Sequence, residues 1–513
     1  MTQTDGPTQP PRDWAEEDPG LPIDFGPASN AEYDPEPVLP PVLQETIRRA
    51  REDSERNARR LGMSRREFLL SAAGAATTFL ALNACTREEH RADPSRTTSE
   101  PGGTYEIPPS ASVEPPSAYE ALGGEEFVFD IQGHLLEYQL NPVLNGQSFW
   151  QSFPQKDCGE DDPRVCYSIE HFLELMFLRS DTNMLVLSSL PIFPEGSPLS
   201  AEIMDVTRRT VDGLCRDERI LLHAQALPNV GTQAASLDAM EYVAGRYPVA
   251  AWKTFTHFPD AFTGDGNAWW LDDRDGGDLG ERFIRKAVDL GIPTICTHKG
   301  LSLGSPYASP DDIGPAARRH PDVSFVAYHS GFEAGTVEGP YTEATGDLGV
   351  NRLITSMRRE GIGPNENVYA EIGSTWWHVM RYPDQAAHVL GKLLKYVGED
   401  NVVWGTDCLF YGSPQPLIQA MRTFQISEEL RERYGYPPLT KERKAKILGL
   451  NGAALYGIEP NTSTCEFSRR ELEQLRRTLP GFNGALGPRT MPAVQAFRDD
   501  DAEVWSATAT MLS

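Results

Sequence analysis

Between residues 127 and 407, short apolar, β-branched runs alternate with longer stretches of helical periodicity. The eight apolar runs are 127–134, 183–190, 220–227, 249–255, 293–299, 323–329, 368–373 and 402–407. The helical patterns include 202–219, 235–246, 281–290, 384–397 and a last one at 441–456. Strands that alternate with helices form parallel sheets, and eight such units close a barrel. We therefore predict an α/β fold, a (β/α)8 TIM barrel over residues 125–460, with an open doubly wound sheet as the alternative.

Polar side chains stand at or near the carboxyl ends of these runs, where a core strand is ordinarily apolar. They are Gln132, His134, His298, His329, Glu371 and Asp407. Barrel strands gather their carboxyl ends at one mouth, and buried imidazoles and carboxylates are costly to desolvate unless they are paired or bind a metal. Alternation along the first strand turns Gln132 and His134 to the same face, so both can point at one ion. The sequence therefore predicts an active site at this mouth.

Four strand ends carry a family resemblance when they are taken in chain order. They read DIQGH at 130–134, CTHKG at 296–300, YHSG at 328–331 and WGTD at 404–407. Together they resemble the amidohydrolase superfamily, and specifically amidohydrolase family 2, the branch with amino-carboxymuconate-semialdehyde decarboxylase and related aromatic-acid decarboxylases. The resemblance runs from about residue 127 to 458, and residues 446–457 resemble the C-terminal helix of that branch.

The resemblance implies a single divalent metal ion held by His134, His298 and Asp407. It also implies that Asp407 can shuttle a proton and that His329 is the acid–base residue. Gln132 stands where the family has its first metal-binding histidine. An amide oxygen is a weaker and harder ligand than imidazole, so we expect a weakened Zn²⁺ site, or Mn²⁺ or Mg²⁺, with a metal-free site as the alternative.

Three further side chains, Lys253, Glu371 and Trp404, are candidates for substrate binding. Lys253, on the fourth predicted strand, can pair with a substrate carboxylate, and the alternative is an ion pair with Glu371 on the seventh. Trp404 belongs to a group of tryptophans near the strand ends that we expect to form flat apolar walls. Lys299 directly follows His298 and is a weaker candidate for a substrate contact.

These residues favour a metal-dependent hydrolase that cleaves a C–N or C–O bond in a small carbonyl-containing molecule. An ion with an open position activates water and polarises a carbonyl oxygen, as such a reaction requires. The same site suits non-oxidative decarboxylation or hydration of an unsaturated or aromatic carboxylic acid, and the motifs do not separate the two. Gln132 in place of histidine leaves a third reading, a metal-free exported binding barrel.

The charge and hydrophobic content of the chain indicate which kinds of ligand it can bind. The 513 residues include 47 Lys and Arg against 74 Asp and Glu, a net charge of −27, and 39% are hydrophobic. That content supports a sizeable core, whereas the negative charge repels phosphate backbones and argues against nucleic-acid binding. We expect a small-molecule substrate. Residues 461–513 form a C-terminal extension that we expect to wrap the barrel or to join a homodimer.

The region ahead of the barrel has a different composition. Residues 1–41 contain ten prolines, and residues 42–60 are strongly charged, so we predict a disordered or solvated region over 1–62. In 63–85, Arg65 and Arg66 precede a weakly hydrophobic run to Leu82 that is too short to span a bilayer comfortably. This pattern resembles a twin-arginine export signal, and Met63 is an alternative start.

Leu82 to Cys85 resembles a bacterial lipobox, which would place a lipid on Cys85. We therefore predict export by the twin-arginine route to the periplasm or cell surface, with membrane contact only through that lipid. Residues 86–124 are rich in Pro, Ser, Thr and Glu and predict a linker. Seven cysteines do not indicate a disulfide framework, but outside the cytoplasm Cys158 and Cys166 could close a short loop, with free thiols as the alternative.

Overall fold

The structure is a computed structural model that describes residues 20–26, 32–33, 38–93, 98, 100–137, 158, 163–193, 197–463 and 465, 467–468, 470–472 and 474. At its centre lies an eight-stranded parallel sheet, ordered along the chain from β2 to β9. Its strands are β2 (Phe129–Gly133), β3 (Met184–Ser188), β4 (Ile220–Gln225), β5 (Val249–Thr254), β6 (Thr294–His298), β7 (Ser324–Tyr328), β8 (Val368–Glu371) and β9 (Val402–Val403). Each lies within one of the eight predicted runs.

The sheet closes because β2 also bonds to the chain that follows β9. The amide of Ile131 donates to Trp404 O at 2.9 Å, that of Asp407 to Gln132 O at 2.9 Å, and that of His134 to Cys408 O at 2.7 Å. An open sheet would leave these first and last segments apart. The predicted (β/α)8 barrel is therefore confirmed, and the doubly wound alternative is excluded.

Helices surround the barrel and precede it. They are α1 (Pro41–Leu61), α2 (Arg65–Leu69), α3 (Ala72–Ala92), α4 (Pro115–Leu122), α5 (Ile169–Leu173), α6 (Ala201–Cys215), α7 (Gln233–Ala244), α8 (Asp260–Thr263), α9 (Leu279–Asp289), α10 (Ile313–Arg319), α11 (Asn351–Arg359), α12 (Thr375–Val379), α13 (Pro383–Tyr396), α14 (Gln415–Thr423), α15 (Glu428–Tyr434), α16 (Lys441–Ala445) and α17 (Asn451–Tyr456). Helix α9 shows the common pattern, because Phe283, Ile284 and Ala287 bury one stripe against the strands.

The region ahead of the barrel is more ordered than its composition predicts. Helices α1 and α3 pack against each other, and α3 buries Phe79, whose ring lies 4.6 Å from that of Tyr105. Asn83 holds the backbone of Tyr105 from both sides, donating to its carbonyl at 2.7 Å and accepting from its amide at 3.0 Å. Tyr105 lies in β1 (Gly103–Tyr105), which pairs antiparallel with β10 (Phe424–Ile426).

Residues 100–124, predicted as linker, therefore form β1 and α4 and are tied to the folded body. Residues 41–62, predicted as a solvated or disordered stretch, form α1, which buries Leu43, Ala50 and Ala58 on one face. Both differences arise because long-range packing orders segments whose local composition favours disorder. Among the described residues, no helix combines the length and apolar character needed to cross a membrane.

Two disulfides join the cysteines outside the barrel core. Cys158 and Cys166 are bonded, as the short-loop prediction expects, and a second bond joins Cys215 to Cys465. The second ties the end of α6 to the segment after the barrel. Cys85, Cys296 and Cys408 are free and buried.

Candidate functional site

All eight predicted site residues are buried at the mouth or in its walls, none more than 3% exposed. The backbone there is unusual, because His329, Ser374 and Asp407 all have positive φ, between 54° and 63°. Non-glycine residues pay a conformational cost in this region, and such residues concentrate at functional sites. The loops after β7, β8 and β9 thus hold three polar side chains in fixed directions.

The first group of polar residues lies where the barrel closes, and we call Gln132, His134 and Asp407 the seam cluster. Asp407 Oδ1 is 3.0 Å from Gln132 Nε2 and 3.0 Å from His134 Nε2, while Oδ2 accepts a hydrogen bond from Ser374 Oγ at 2.5 Å. Burial alone would raise the pKa of Asp407, but the hydrogen bond and charge of His134 hold it below its usual range. The carboxylate is therefore ionised at neutral pH.

The second group joins the barrel to the N-terminal region, and we call Glu32, His298 and His329 the N-terminal cluster. Glu32 Oε1 is 3.3 Å from His298 Nδ1, and Glu32 Oε2 is 3.7 Å from His329 Nε2. The two imidazole rings have centroids 4.7 Å apart. Ligand atoms from all three residues lie within 4.8 Å of one another.

Backbone carbonyls fix which nitrogen of each imidazole carries a proton. His134 Nδ1 is 2.6 Å from Ser188 O, His329 Nδ1 is 2.7 Å from Gly373 O, and His298 Nε2 is 3.4 Å from Leu301 O. A carbonyl oxygen can only accept, so in each ring the nitrogen that faces it is the donor. In His298 and His329 the other nitrogen then presents a lone pair to a Glu32 oxygen, whereas His134 Nε2 lies 3.0 Å from Asp407 Oδ1.

Burial keeps the imidazoles of the N-terminal cluster neutral. It lowers the pKa of His329 to about 4 and that of His298 well below its ordinary value. His298 Nδ1 and His329 Nε2 have no hydrogen-bond partner among the described residues. Two imidazole nitrogens and a carboxylate within 4.8 Å of one another are ligand types that a divalent transition metal ion binds.

The structure divides the four predicted metal ligands. Gln132, His134 and Asp407 come together in the seam cluster, while His298 lies in the neighbouring N-terminal cluster with His329. The clusters adjoin at Gly373, whose carbonyl oxygen lies 2.7 Å from His329 Nδ1 and whose Cα lies next to the Gln132 amide oxygen. Gln132 Oε1 is buried and has no partner among the described residues, so an amide oxygen remains available to an ion. Imidazole nitrogens with carboxylate and amide oxygens form a donor set that fits Zn²⁺ or Mn²⁺.

Glu371, at the end of β8, holds the backbone of two loops at the barrel mouth. Its carboxylate accepts hydrogen bonds from the amides of His329, at 3.0 Å, and Gly373. Burial raises its pKa to about 8. A Cβ at Gly373 would meet the Gln132 amide oxygen, and one at Gly405 would meet the Glu371 carboxylate. Glu371 thus positions the loop that carries His329, and both glycines leave space for polar side chains.

Lys253 is a buried amine whose Nζ makes no hydrogen bond to an anion among the described residues. Its Nζ lies 3.4 Å from the centre of the Tyr328 ring and 4.9 Å from that of Phe255, and it has no hydrogen-bond partner among the described residues. Burial lowers its pKa to about 8. The alternative ion pair with Glu371 is not formed within the described part of the chain.

Lys299 and Trp404 fall into different surroundings. Lys299 Nζ donates to Asp312 at 2.7 Å and to Thr256 at 2.9 Å, so it is committed to structural bonds and the predicted substrate contact is not supported. Trp404 is fully buried, and its indole N–H has no acceptor among the described residues. Its role in substrate binding stays a prediction.

Several residues at the mouth were not predicted. The His257 ring lies 4.7 Å from that of His298, and Ser374 bonds to Asp407. His257 follows the predicted strand 249–255 directly, and that position is the signal that could have identified it. Glu32 and Tyr33 come from a proline-rich segment with no strand or helix pattern, so no local signal marks them.

Part of the chain matches the model of a known protein family. Residues 234–458 match the family model described as amidohydrolase. The matched segment runs from α7 to the residues just after α17 and includes His298, His329 and Asp407, but not Gln132 and His134. No curated protein matches the chain significantly.

Solved structures of low sequence identity also match. An uncharacterised TIM-barrel protein from Bordetella bronchiseptica is 14% identical, with a TM-score of 0.39, and the match covers 64% of this chain and 99% of that one. A 2,6-dihydroxybenzoate decarboxylase from Rhizobium is 14% identical, with a TM-score of 0.36 and coverage of 65% and 98%. A 4-oxalomesaconate hydratase from Rhodopseudomonas palustris is 14% identical, with a TM-score of 0.38 and coverage of 64% and 96%. The barrel assignment rests on the strand order and closure described above.

Proposed function

We propose that the protein is a metal-dependent enzyme of the amidohydrolase type that hydrolyses a C–N or C–O bond in a small molecule. The main support is the set of three buried imidazoles, each anchored on a backbone carbonyl, whose remaining nitrogens face carboxylate oxygens. The amidohydrolase match over residues 234–458 agrees with it.

His134 and Asp407 would hold the ion, with the amide oxygen of Gln132 as a further donor, and His298 would complete this set from the adjoining N-terminal cluster. Zn²⁺ suits this mixture best, Mn²⁺ is acceptable, and Mg²⁺ is disfavoured by the imidazoles. When bound, a divalent ion lowers the pKa of water and polarises a carbonyl oxygen.

The chain's own residues would handle the protons. Asp407 is ionised and accepts a hydrogen bond from Ser374, so its carboxylate can take a proton while its direction stays fixed. His329 is neutral above its pKa of about 4, so Nε2 can accept a proton at neutral pH. Buried walls exclude water from both groups, which strengthens their interactions with a substrate.

Non-oxidative decarboxylation or hydration of a carboxylic acid is the second candidate, and Lys253 favours it. A buried ammonium group without an anion is costly, and a substrate carboxylate would offset that cost. The position of Lys253 in the wall of the mouth therefore suits an acid substrate.

The ion is tested first. Protein purified without chelators is expected to carry close to one equivalent of a divalent metal. His298→Ala should lose most of it, and His320→Ala should retain it, because His320 pairs with Glu281 on the outer helices. Metal content below about 0.2 equivalents, with no turnover on adding Zn²⁺ or Mn²⁺, would favour a metal-free binding barrel.

The reaction is tested by its products. Metal-loaded protein is screened against amides, lactones and esters for ring opening or cleavage, and against unsaturated and aromatic acids for release of CO₂ or addition of water. Cleavage supports the hydrolase, whereas CO₂ release or hydration supports the second candidate.

We also propose that the protein is exported by the twin-arginine route. Arg65 and Arg66 stand in the required pattern, and two disulfides are expected in an oxidising compartment. Cys85 is buried in α3, so its acylation would require that helix to leave its packing. Changing both arginines to lysine should retain the protein in the cytoplasm, as fractionation of cells would measure. Unchanged export would contradict the route.

A further inference from the structure

Glu32 of the N-terminal region lies against two histidines of the barrel mouth, His298 and His329. We propose that this segment, Gly20–Gly26 with Glu32 and Tyr33, is a built-in competing ligand of the mouth, and that Glu32 occupies the position of a substrate carboxylate. The identification of that position as the substrate's rests on the second candidate of the proposed function, which acts on a carboxylic acid.

Glu32 is placed as a bound carboxylate would be. One oxygen faces His298 Nδ1 at 3.3 Å and the other faces His329 Nε2 at 3.7 Å, so the group bridges the two imidazoles. Its negative charge is also the largest influence that opposes the burial-driven lowering of the Lys253 pKa. Glu32 therefore supplies a negative charge that acts on Lys253 and lies against His298 and His329.

Neighbouring residues hold the segment on the barrel at two further points. The Tyr33 hydroxyl lies 2.9 Å from that of Tyr411, and its ring packs against His378 at 4.5 Å. Upstream, the carbonyl of Phe25 accepts a hydrogen bond from Arg381 Nη1 at 2.7 Å, and Phe25 itself is buried. Phe25 and Tyr33 thus hold described parts of the segment against the barrel.

The contacts of Glu32 suit a reversible occupant. Its side chain is 16% exposed, whereas those of His298 and His329 are 1% and 0% exposed. Helix α1 begins at Pro41, eight positions after Tyr33, so the segment is tethered close to the mouth at a high effective concentration. When a tethered group occupies the mouth, a competing ligand can bind only the fraction of molecules in which the mouth is open. The apparent affinity of that ligand is lowered in proportion to this fraction.

Benzoate serves as the probe, because it carries one carboxylate on a flat apolar ring. Its affinity is measured by titration calorimetry on the full-length protein, both as purified and after metal removal. We expect Glu32→Ala to bind benzoate about tenfold more tightly than the unaltered protein. Glu32→Gln should show the same direction, since it removes the charge but keeps the shape.

Asp24→Asn is the matched control, because Asp24 belongs to the same segment but is exposed and accepts only from the Gly26 amide among the described hydrogen bonds. It should leave benzoate affinity within twofold. Unchanged or weaker benzoate binding by both Glu32 variants would overturn the proposal. So would a tenfold loss of metal affinity in them without any gain for benzoate, since Glu32 would then be a resident metal ligand.

Hydrogen exchange of the unaltered protein separates this proposal from the proposed function. Saturating benzoate should speed exchange of amides in residues 20–33 severalfold and leave α9 unchanged. No change in residues 20–33 at saturation would overturn it. Because neither readout needs turnover, a protein that hydrolyses nothing could still show displacement, and an active enzyme could fail to show it.

Discussion

The two clusters at the barrel mouth differ in where the carboxylate that faces their imidazoles comes from. In the seam cluster every side chain belongs to the barrel, and Gln132 Nε2 donates a hydrogen bond to the same Asp407 oxygen that faces His134. In the N-terminal cluster the anion comes from outside the barrel, and two imidazole nitrogens lack a hydrogen-bond partner among the described residues. The seam cluster is therefore preorganised, whereas the N-terminal cluster has an exchangeable member.

The seam cluster should be the more sensitive of the two. Asp407→Asn keeps the shape of the side chain but removes the charge that His134 and Ser374 contact. We expect turnover to fall by about 10³-fold, within the range for acid–base groups, with loss of metal. Steady-state kinetics and metal analysis check this. Activity within fivefold of the unaltered enzyme would remove Asp407 from the mechanism.

Gln132→His should sharpen the contrast by giving the seam cluster a second imidazole. We expect metal affinity to rise by about 10–100-fold, the range by which changes around a metal site act. Competition with a chromogenic chelator measures it. If affinity is unchanged, the ion lies mainly in the N-terminal cluster.

His329 predicts how stability depends on pH in the metal-free protein. Its folded pKa of about 4 lies below the unfolded value near 6.5, so the unfolded chain binds more protons between these values. Stability should rise with pH across this window and fall by about 2 kcal/mol from pH 7 to pH 5. Urea unfolding at both values, compared with His329→Gln, isolates the contribution, and an equal fall in the variant would contradict it.

Lys253→Met has the smallest expected effect and tests the buried amine that lies over the Tyr328 and Phe255 rings. Because Met fills similar space without a charge, carboxylate binding should weaken about tenfold while the protein becomes no less stable. Lys286→Met is the control, since Lys286 pairs with Glu241 on the outer surface. Thermal unfolding and benzoate titration check both variants. Unchanged benzoate binding would remove Lys253 from the site.

The barrel could be predicted because its signals are local. Each strand is a short apolar run, and a histidine or carboxylate at its end violates the core pattern, as at His298, His329 and Asp407. The strand order then brings these residues to one mouth. The division of His298 from His134 depends on loop geometry, which spacing does not encode.

The N-terminal region could not be predicted in the same way. Glu32 meets His298 across the chain, and Asn83 holds Tyr105 through side-chain bonds to its backbone. A proline-rich composition lowers the local tendency to form structure, but it does not exclude docking onto an existing surface. The barrel supplies that surface, so order there is a property of the whole chain.

The closure of the barrel also determines when during synthesis and folding the seam cluster can form. Gln132 and Asp407 are 275 positions apart and become neighbours only when the first and last strands join. A nascent chain still attached to the ribosome before that point carries His134 without its carboxylate partner. Capture of an ion by the seam must therefore be a late event in the life of each molecule, after synthesis of nearly the whole barrel.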